Sequence, residues 1–181
     1  MPRFVALLRG VNVGKGNRIA MADFRRLLEG AGCTDVLTLL NSGNAVFGNV
    51  GRSSSAHART IAAALRDEFG LSVPVVVESA KAFAAVIAEC PLEPPPSDHS
   101  KFLVAFAHRP GALGDLQALA RSALAAERFV IGQHAAYLHC AGGILHSEVA
   151  RALLGKAGQG VTTRNWATVL KLEAVLRSGS V

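Results

Sequence analysis

The chain has 181 residues, half of them hydrophobic, 18% charged and 6% aromatic, and its 18 Gly and 7 Pro are fewer than a low-complexity chain would carry. No apolar run approaches the roughly eighteen residues that span a bilayer, and the apolar start before Arg9 is too short for a signal peptide, so we expect a cytoplasmic protein without a membrane partner. The formal charge of +6 divides evenly, with ten basic and seven acidic side chains in residues 1–90 and nine and six in residues 91–181, which is typical of a mixed solvated surface rather than a nucleic-acid-binding arm.

Residues 1–91 follow the order strand, helix, strand, strand, helix, strand, which is the split β-α-β pattern of ferredoxin-like domains. In the first strand the side chains directed to either face of the sheet are apolar, which predicts a sheet that is covered on both faces. Pro74, near the start of the last strand, favours an edge position for that strand. The predicted strands are residues 4–8, 36–40, 45–47 and 73–78, and the predicted helices are residues 21–29, 53–69 and 80–89.

A proline-rich segment, residues 92–100, is predicted to be a stiff extended linker. Beyond it the same order of strands and helices begins again in residues 101–181. In place of the expected fourth strand, however, residues 165–176 are predicted to form a helix. The fold class is therefore α+β, with two tandem ferredoxin-like halves packed together and the second half modified by a C-terminal helix. The other predicted strands are residues 102–107, 128–131 and 136–140, and the other predicted helices are residues 113–126 and 145–154.

Three motifs follow one another along the chain: LLRGVNVG in residues 7–14, NSGNAVF in residues 41–47 and TTRNWATVLKL in residues 162–172. Together they resemble the bacterial domain-of-unknown-function family 1697, whose members are similar over essentially the whole chain. The resemblance implies a cytoplasmic α+β protein made of two tandem ferredoxin-like halves, and it implies no activity. The chain departs from the family pattern at Lys15, where a second Gly commonly follows Gly14, and at Asn41, where Gln is frequent.

The Gly-rich loop of residues 10–18 is the first candidate site. Its Gly-Lys pair is similar to a phosphate-binding loop, but that motif needs one more residue between its glycines and a Ser or Thr where Gly16 stands. The next helix begins only near Met21, so its amides are not aimed into the loop. We expect either a flexible turn or a loop whose backbone amides and side chains bind a small phosphate- or carboxylate-bearing ligand. The side chains that would contribute are Arg9, Asn12, Lys15 and Arg18.

Arg164 and Asn165 form the second candidate site. The pattern predicts that a preceding threonine caps a helix and that both residues lie in its first turn. Because amide hydrogens in a first turn favour negative charge, an arginine there indicates a partner, either a carboxylate of the protein or an anionic ligand. The alternative is that Arg164 forms an ion pair between the halves and that Trp166 packs in the core.

The turn of residues 41–44 is the third candidate, although turn chemistry alone explains its Asn, Ser and Gly residues. We expect it to lie at the opposite end of the sheet from the Gly-rich loop, since the first and third strands of the half are taken to run parallel.

No acid–base pair or catalytic triad stands out, so the sequence leaves open whether the protein is an enzyme and predicts no catalytic residue. The three cysteines form no CxxC pair, and neither a metal site nor a cofactor is predicted. Two other functions compete with binding of a small anion. They are nucleic-acid binding, which the even spread of charge does not favour, and a non-catalytic role in an assembly of unassigned oligomeric state.

Overall fold

The computed structural model of the protein describes residues 1–122 and 127–178, in which eight strands form two four-stranded antiparallel sheets. The first sheet has the order β2-β3-β1-β4, which places β4 and its preceding Pro74 at an edge as predicted. Its strands are β1 (Arg3–Leu8), β2 (Thr34–Leu39), β3 (Asn44–Gly48) and β4 (Val75–Ser79), and the helices of this part are α1 (Met21–Gly30), α2 (Ser54–Phe69) and α3 (Ala80–Glu89).

The second sheet repeats the arrangement of the first, with the order β6-β7-β5-β8. Each sheet is built from a strand, a helix, two strands, a helix and a strand, and each series is followed by a further helix. The elements of the second series are β5 (Phe102–Ala107), α4 (Gln117–Ser122), β6 (Glu127–Ile131), β7 (Ala135–Cys140), α5 (Glu148–Leu154), β8 (Val161–Asn165) and α6 (Trp166–Ser178).

The prediction that the second half lacks a fourth strand is wrong. β8 pairs antiparallel with β5 along its whole length, from Val161 opposite Ala107 to Asn165 opposite Leu103. The run Val161-Thr162-Thr163 is β-branched, which suits a buried strand, and Val161 and Thr162 are fully buried. The C-terminal helix is therefore an addition after a complete sheet, as α3 is in the first series.

The proline-rich segment is less extended than predicted, because Pro96–Lys101 forms a 3-10 helix. Asp98 fastens this turn to β7, since its carboxylate bonds His139 Nε2 at 2.9 Å and Lys101 Nζ at 3.1 Å. These bonds from His139 and Lys101 lower the pKa of Asp98. Pro95, directly before this turn, has the extended backbone expected of a linker, with φ −61° and ψ 153°.

Two predicted helices are shorter than expected. The helix predicted over residues 113–126 is a 3-10 turn, Gly114–Leu116, followed by α4, and residues 123–126 lie outside the described part. The helix predicted over residues 145–154 likewise begins as a 3-10 turn, Ile144–His146, before α5. None of the described helices is long and apolar enough to cross a bilayer.

The chain forms two compact units whose boundaries fall inside α3 and α6. The first unit comprises Met1–Ala84 together with the described residues from Leu172 onward, and the second comprises Ala85–Lys171. In the first unit α1 and α2 cover one face of the sheet, and the core between them includes Phe4, Phe24 and Leu65. Val5 on the other face is also fully buried, so both faces of this sheet are covered, as predicted.

His57 is a polar side chain inside the apolar core of the first unit. It lies in α2 and is 1% exposed, and its ring centroid is 4.8 Å from that of Phe4 and 5.3 Å from that of Phe47. Its Nε2 atom has no hydrogen-bond partner among the described residues. Burial, with a smaller contribution from the charge of Arg52, lowers the pKa of His57, because the protonated ring would be a buried cation.

We expect the protein to lose stability as the pH falls below the ordinary histidine pKa of 6.5. In the unfolded chain His57 takes up a proton near that pH, whereas in the folded chain it does so only at a lower pH, so the unfolded state binds more protons in between. Replacing His57 by Phe should reduce the loss of unfolding free energy between about pH 7.5 and about pH 5.5, measured by urea unfolding. The exposed His146, replaced by Gln, is the control and should leave that loss unchanged. If His57→Phe lost as much unfolding free energy over this pH range as wild type does, His57 would not be the residue responsible for the loss.

Candidate functional site

The Gly-rich loop and the β2–β3 turn lie at the same end of the first sheet. β1 pairs antiparallel with β3, and Leu7 lies opposite Asn44, so the end of β1 meets the start of β3. The backbone N–H of Leu8 donates to the carbonyl of Gly43 at 2.8 Å. The expectation that the two loops lie at opposite ends is therefore wrong, because it assumed parallel first and third strands.

Asn12 holds the loop, the turn and the start of α1 together. Its Nδ2 donates to the carbonyl oxygens of Ile19 and Asn41, both at 2.8 Å, and its Oδ1 accepts from the N–H of Ile19 at 3.0 Å. Its φ of +56° is left-handed, a conformation that asparagine adopts more readily than most residues. Because both amide hydrogens of its side chain are used, Asn12 shapes the loop rather than offering donors to a ligand.

A cleft of about 430 Å³ opens where the loop, the turn and two helices converge. Ala20 stands directly before α1, and Phe69 is the last residue of α2, where Gly70 turns the chain with a φ of +66°. The cleft is lined by Asn12, Arg18, Ile19, Ala20, Asp23, Asn41 and Phe69. All of these residues belong to the first unit.

Arg18 brings a positive charge to this cleft. Its side chain is exposed, and Nη2 donates to the carbonyl oxygen of Gly14, which ties the guanidinium to the loop. A guanidinium has several further N–H donors, so this bond does not exhaust it. Ala20, the N-cap of α1, has no side chain that could accept from the first-turn amides of the helix, and such amides favour a negative group.

Asp23 brings a negative charge to the same cleft. It lies in the first turn of α1, where a carboxylate suits the helix dipole, and its Oδ1 lies 2.8 Å from Nη2 of Arg26. Its side chain is 34% exposed. The cleft is therefore lined by one cationic residue, one anionic residue and Phe69.

Two of the four residues predicted in the Gly-rich loop do not line the cleft. Lys15 is exposed elsewhere on the loop. Arg9 is half-buried, burial lowers its pKa, and its backbone N–H donates to the carbonyl of Pro74 at 3.0 Å. Asn12 and Arg18 are the two that the fold brings together at the cleft.

Arg164 lies in β8 and not in the first turn of a helix, so the predicted conflict with the helix dipole does not exist. Its side chain is 9% exposed, burial lowers its pKa to about 10, and Nη1 donates to the carbonyl of Thr163 at 2.8 Å. Asn165 precedes α6, and its Oδ1 accepts from the N–H of Thr168 at 2.9 Å. Asn165 is thus the cap of α6, and the prediction that a threonine caps it is wrong. Both residues belong to the second unit.

The cysteines Cys33, Cys90 and Cys140 are free thiols, and burial raises the pKa of each. A raised pKa keeps a thiol protonated and weakly nucleophilic at neutral pH. Within residues 1–122 and 127–178, no group of three or more His, Cys, Asp and Glu side chains is placed to hold a metal ion.

Comparison with known proteins agrees with the resemblance that the three motifs indicated. The family model described as "Protein of unknown function (DUF1697)" matches residues 1–137, so the third motif lies beyond the match. A solved structure, that of the conserved bacterial protein SP0830 from Streptococcus pneumoniae, superposes with a TM-score of 0.79 at 22% identity, covering 97% of this chain and 98% of that chain. At this identity the likeness supports the fold alone. No curated protein matches the chain.

Proposed function

Because this chain belongs to the DUF1697 family, whose description assigns no activity, we propose a function from its own geometry: it binds a small ligand through a phosphate or carboxylate group in the cleft beside Asn12 and Arg18. One observation carries the proposal. An exposed guanidinium and the uncapped start of α1 line the same cleft, whose shape Asn12 fixes with three hydrogen bonds. Positive charge and backbone amides that converge on a concave site suit an anion.

The surroundings of Lys15 and Arg18 favour the cleft over the rest of the loop as the place where an anion binds. Lys15 is exposed on the loop, where water screens its charge and a small anion would gain little. Arg18 lies beside the buried Ile19 and beside Phe69, so a ligand placed there would lose part of its contact with water. Charge-assisted hydrogen bonds are stronger in such a setting.

We also infer that the chain consists of two ferredoxin-like halves, residues 1–91 and 101–181, joined by residues 92–100. Support comes from the identical strand order of the two sheets and from the identical succession of strands and helices that builds them. We also propose a cytoplasmic location, because free thiols suit a reducing compartment.

The test is thermal unfolding with sulfate or inorganic phosphate, against chloride at equal ionic strength. We expect both anions to raise Tm beyond chloride, since a ligand that binds only the folded state stabilises it. Arg18→Gln should weaken phosphate binding roughly 10- to 100-fold, the equivalent of about 1.5–3 kcal/mol for a hydrogen bond to a charged group.

Lys15→Gln is the matched control, because it removes the same charge from the same loop without altering the lining of the cleft. It should keep most of the shift in Tm. Equal shifts in wild type and Arg18→Gln, or no shift beyond that in chloride, would refute the proposal.

Nucleic-acid binding is the second candidate, and the formal charge of +6 is the observation in its favour. Stacking of bases on the first sheet would need exposed aromatic rings. Phe4 and Phe47 are instead buried, with ring centroids 5.5 Å apart in the core. Binding would then rest on phosphate contacts, and its affinity would fall steeply with salt. Failure to retard single- or double-stranded DNA or RNA at low salt would reject it.

A further inference from the structure

We propose that the ligand of the cleft is zwitterionic, with a phosphate or carboxylate at one end and an amine at the other. This inference rests on the proposed function and goes beyond it by naming the class of ligand. Two residues of opposite charge line one cleft, Arg18 with its guanidinium and Asp23 with its carboxylate. A ligand with only an anionic group would be attracted by the first and repelled by the second, whereas an amine on the same molecule turns the repulsion into attraction.

The carboxylate of Asp23 has acceptor capacity left for such an amine. Its contact with Arg26 is made through Oδ1, and a carboxylate offers acceptor sites on both oxygens. The Arg26 side chain is 73% exposed, so its pairing with Asp23 is a weak surface contact within one helix. An amine in the cleft can therefore bind Asp23 without first breaking a strong ion pair.

The apolar residues that line the same cleft indicate what joins the two ends of the ligand. Phe69 is half-buried against the core, and Ile19 is 5% exposed, so this part of the cleft is apolar. Asn41 of the turn also lines the cleft; its backbone carbonyl accepts from Asn12, and its side chain carries a polar amide. A short aliphatic or flat body suits this wall, because contact with Phe69 and Ile19 removes apolar surface from water.

A structural role for Asp23 is the competing explanation, since a carboxylate in a first turn stabilises a helix by itself. Isothermal titration with two probes that differ only in the amine, ethyl phosphate and O-phosphoethanolamine, separates the two explanations. We expect wild-type protein to bind O-phosphoethanolamine about fivefold more tightly, the value of a partly exposed ion pair. Asp23→Asn should bring the ratio of the two dissociation constants to about one, and Arg18→Gln should weaken both probes alike.

Asp67→Asn is the matched control, because it removes a carboxylate from the same unit at a site 69% exposed and outside the cleft lining. Asp67→Asn should leave the ratio of the two dissociation constants unchanged. If net charge alone were responsible, Asp67→Asn would alter that ratio as much as Asp23→Asn does. Equal affinity of wild type for both probes overturns the zwitterion inference and leaves the anion site standing. Failure of wild type to bind either probe or inorganic phosphate overturns the proposed function itself.

Discussion

Replacing Gly43 by alanine is expected to lower the free energy of unfolding by about 2–5 kcal/mol, from backbone strain and overpacking together. Gly43 has a φ of +73°, and a Cβ atom built on it would lie 2.6 Å from Cβ of Leu8 and 2.7 Å from Cγ2 of Val11. Leu8 and Val11 are buried, so neither side chain can move aside into solvent. The β2–β3 turn would have to move away from the end of β1.

Gly10→Ala is the control for the backbone part of this effect. Gly10 has a similar φ of +66°, but nothing lies within 4 Å of its added Cβ. It should therefore cost only the strain of a left-handed alanine, about 1–2 kcal/mol. Urea unfolding followed by far-UV circular dichroism measures both variants. If the two lose equal stability, the close approach of Gly43 to Leu8 and Val11 contributes nothing.

The turn itself was predicted from the sequence, but its position beside the end of β1 was not. The residues of positions 41–44 predict a tight turn, and the structure confirms it, because asparagine and glycine carry that information locally. The neighbour of the turn depends on which strand pairs with β3. β3 pairs antiparallel with β1, from Arg3 opposite Gly48 to Leu7 opposite Asn44, whereas the parallel direction expected for these two strands put the turn at the wrong end of the sheet.

β8 shows a second limit of sequence patterns. The strand has five residues, and its residues Arg164 and Asn165 are polar, so hydrophobic periodicity favours the long apolar helix that follows. The strand exists because β5 offers an edge along which Val161–Asn165 can pair. The β-branched residues Val161, Thr162 and Thr163 suit this pairing, and the start of α6 at Trp166 lies within one residue of the predicted start.

The candidate site was predictable in part. The Gly-rich loop indicates turns and basic side chains, and on that basis Asn12 and Arg18 were predicted together with Arg9 and Lys15, which do not line the cleft. Asp23 reads as an ordinary helix-surface carboxylate, and Phe69 reads as the last apolar residue of α2. They contribute to the cleft only because the start of α1 and the end of α2 converge on it, which is a property of the fold.

Replacing Asn12 by glycine or by alanine should show how much its side-chain hydrogen bonds and its left-handed backbone each contribute to the free energy of unfolding. Asn12→Gly removes three hydrogen bonds while keeping a φ of +56° accessible, and a loss of about 3 kcal/mol is expected at roughly 1 kcal/mol for each bond. Asn12→Ala should lose about 1–2 kcal/mol more, because alanine is strained in a left-handed conformation. Urea unfolding measures both losses, and equal losses would mean that the loop adopts another backbone conformation without the asparagine.

The phosphate affinity of Asn12→Gly tests whether Asn12 positions the site. Both Nδ2 hydrogens of Asn12 are bonded to carbonyl groups of the protein, so the variant removes no free side-chain N–H donor that an anion could use. Affinity should nevertheless fall, since the loop that carries Arg18 is no longer tied to the β2–β3 turn and must be ordered when the anion binds. At saturating phosphate the variant should reach the same bound stoichiometry as wild type with a weaker Kd. An unchanged Kd would mean that Arg18 binds phosphate without the framework that Asn12 supplies.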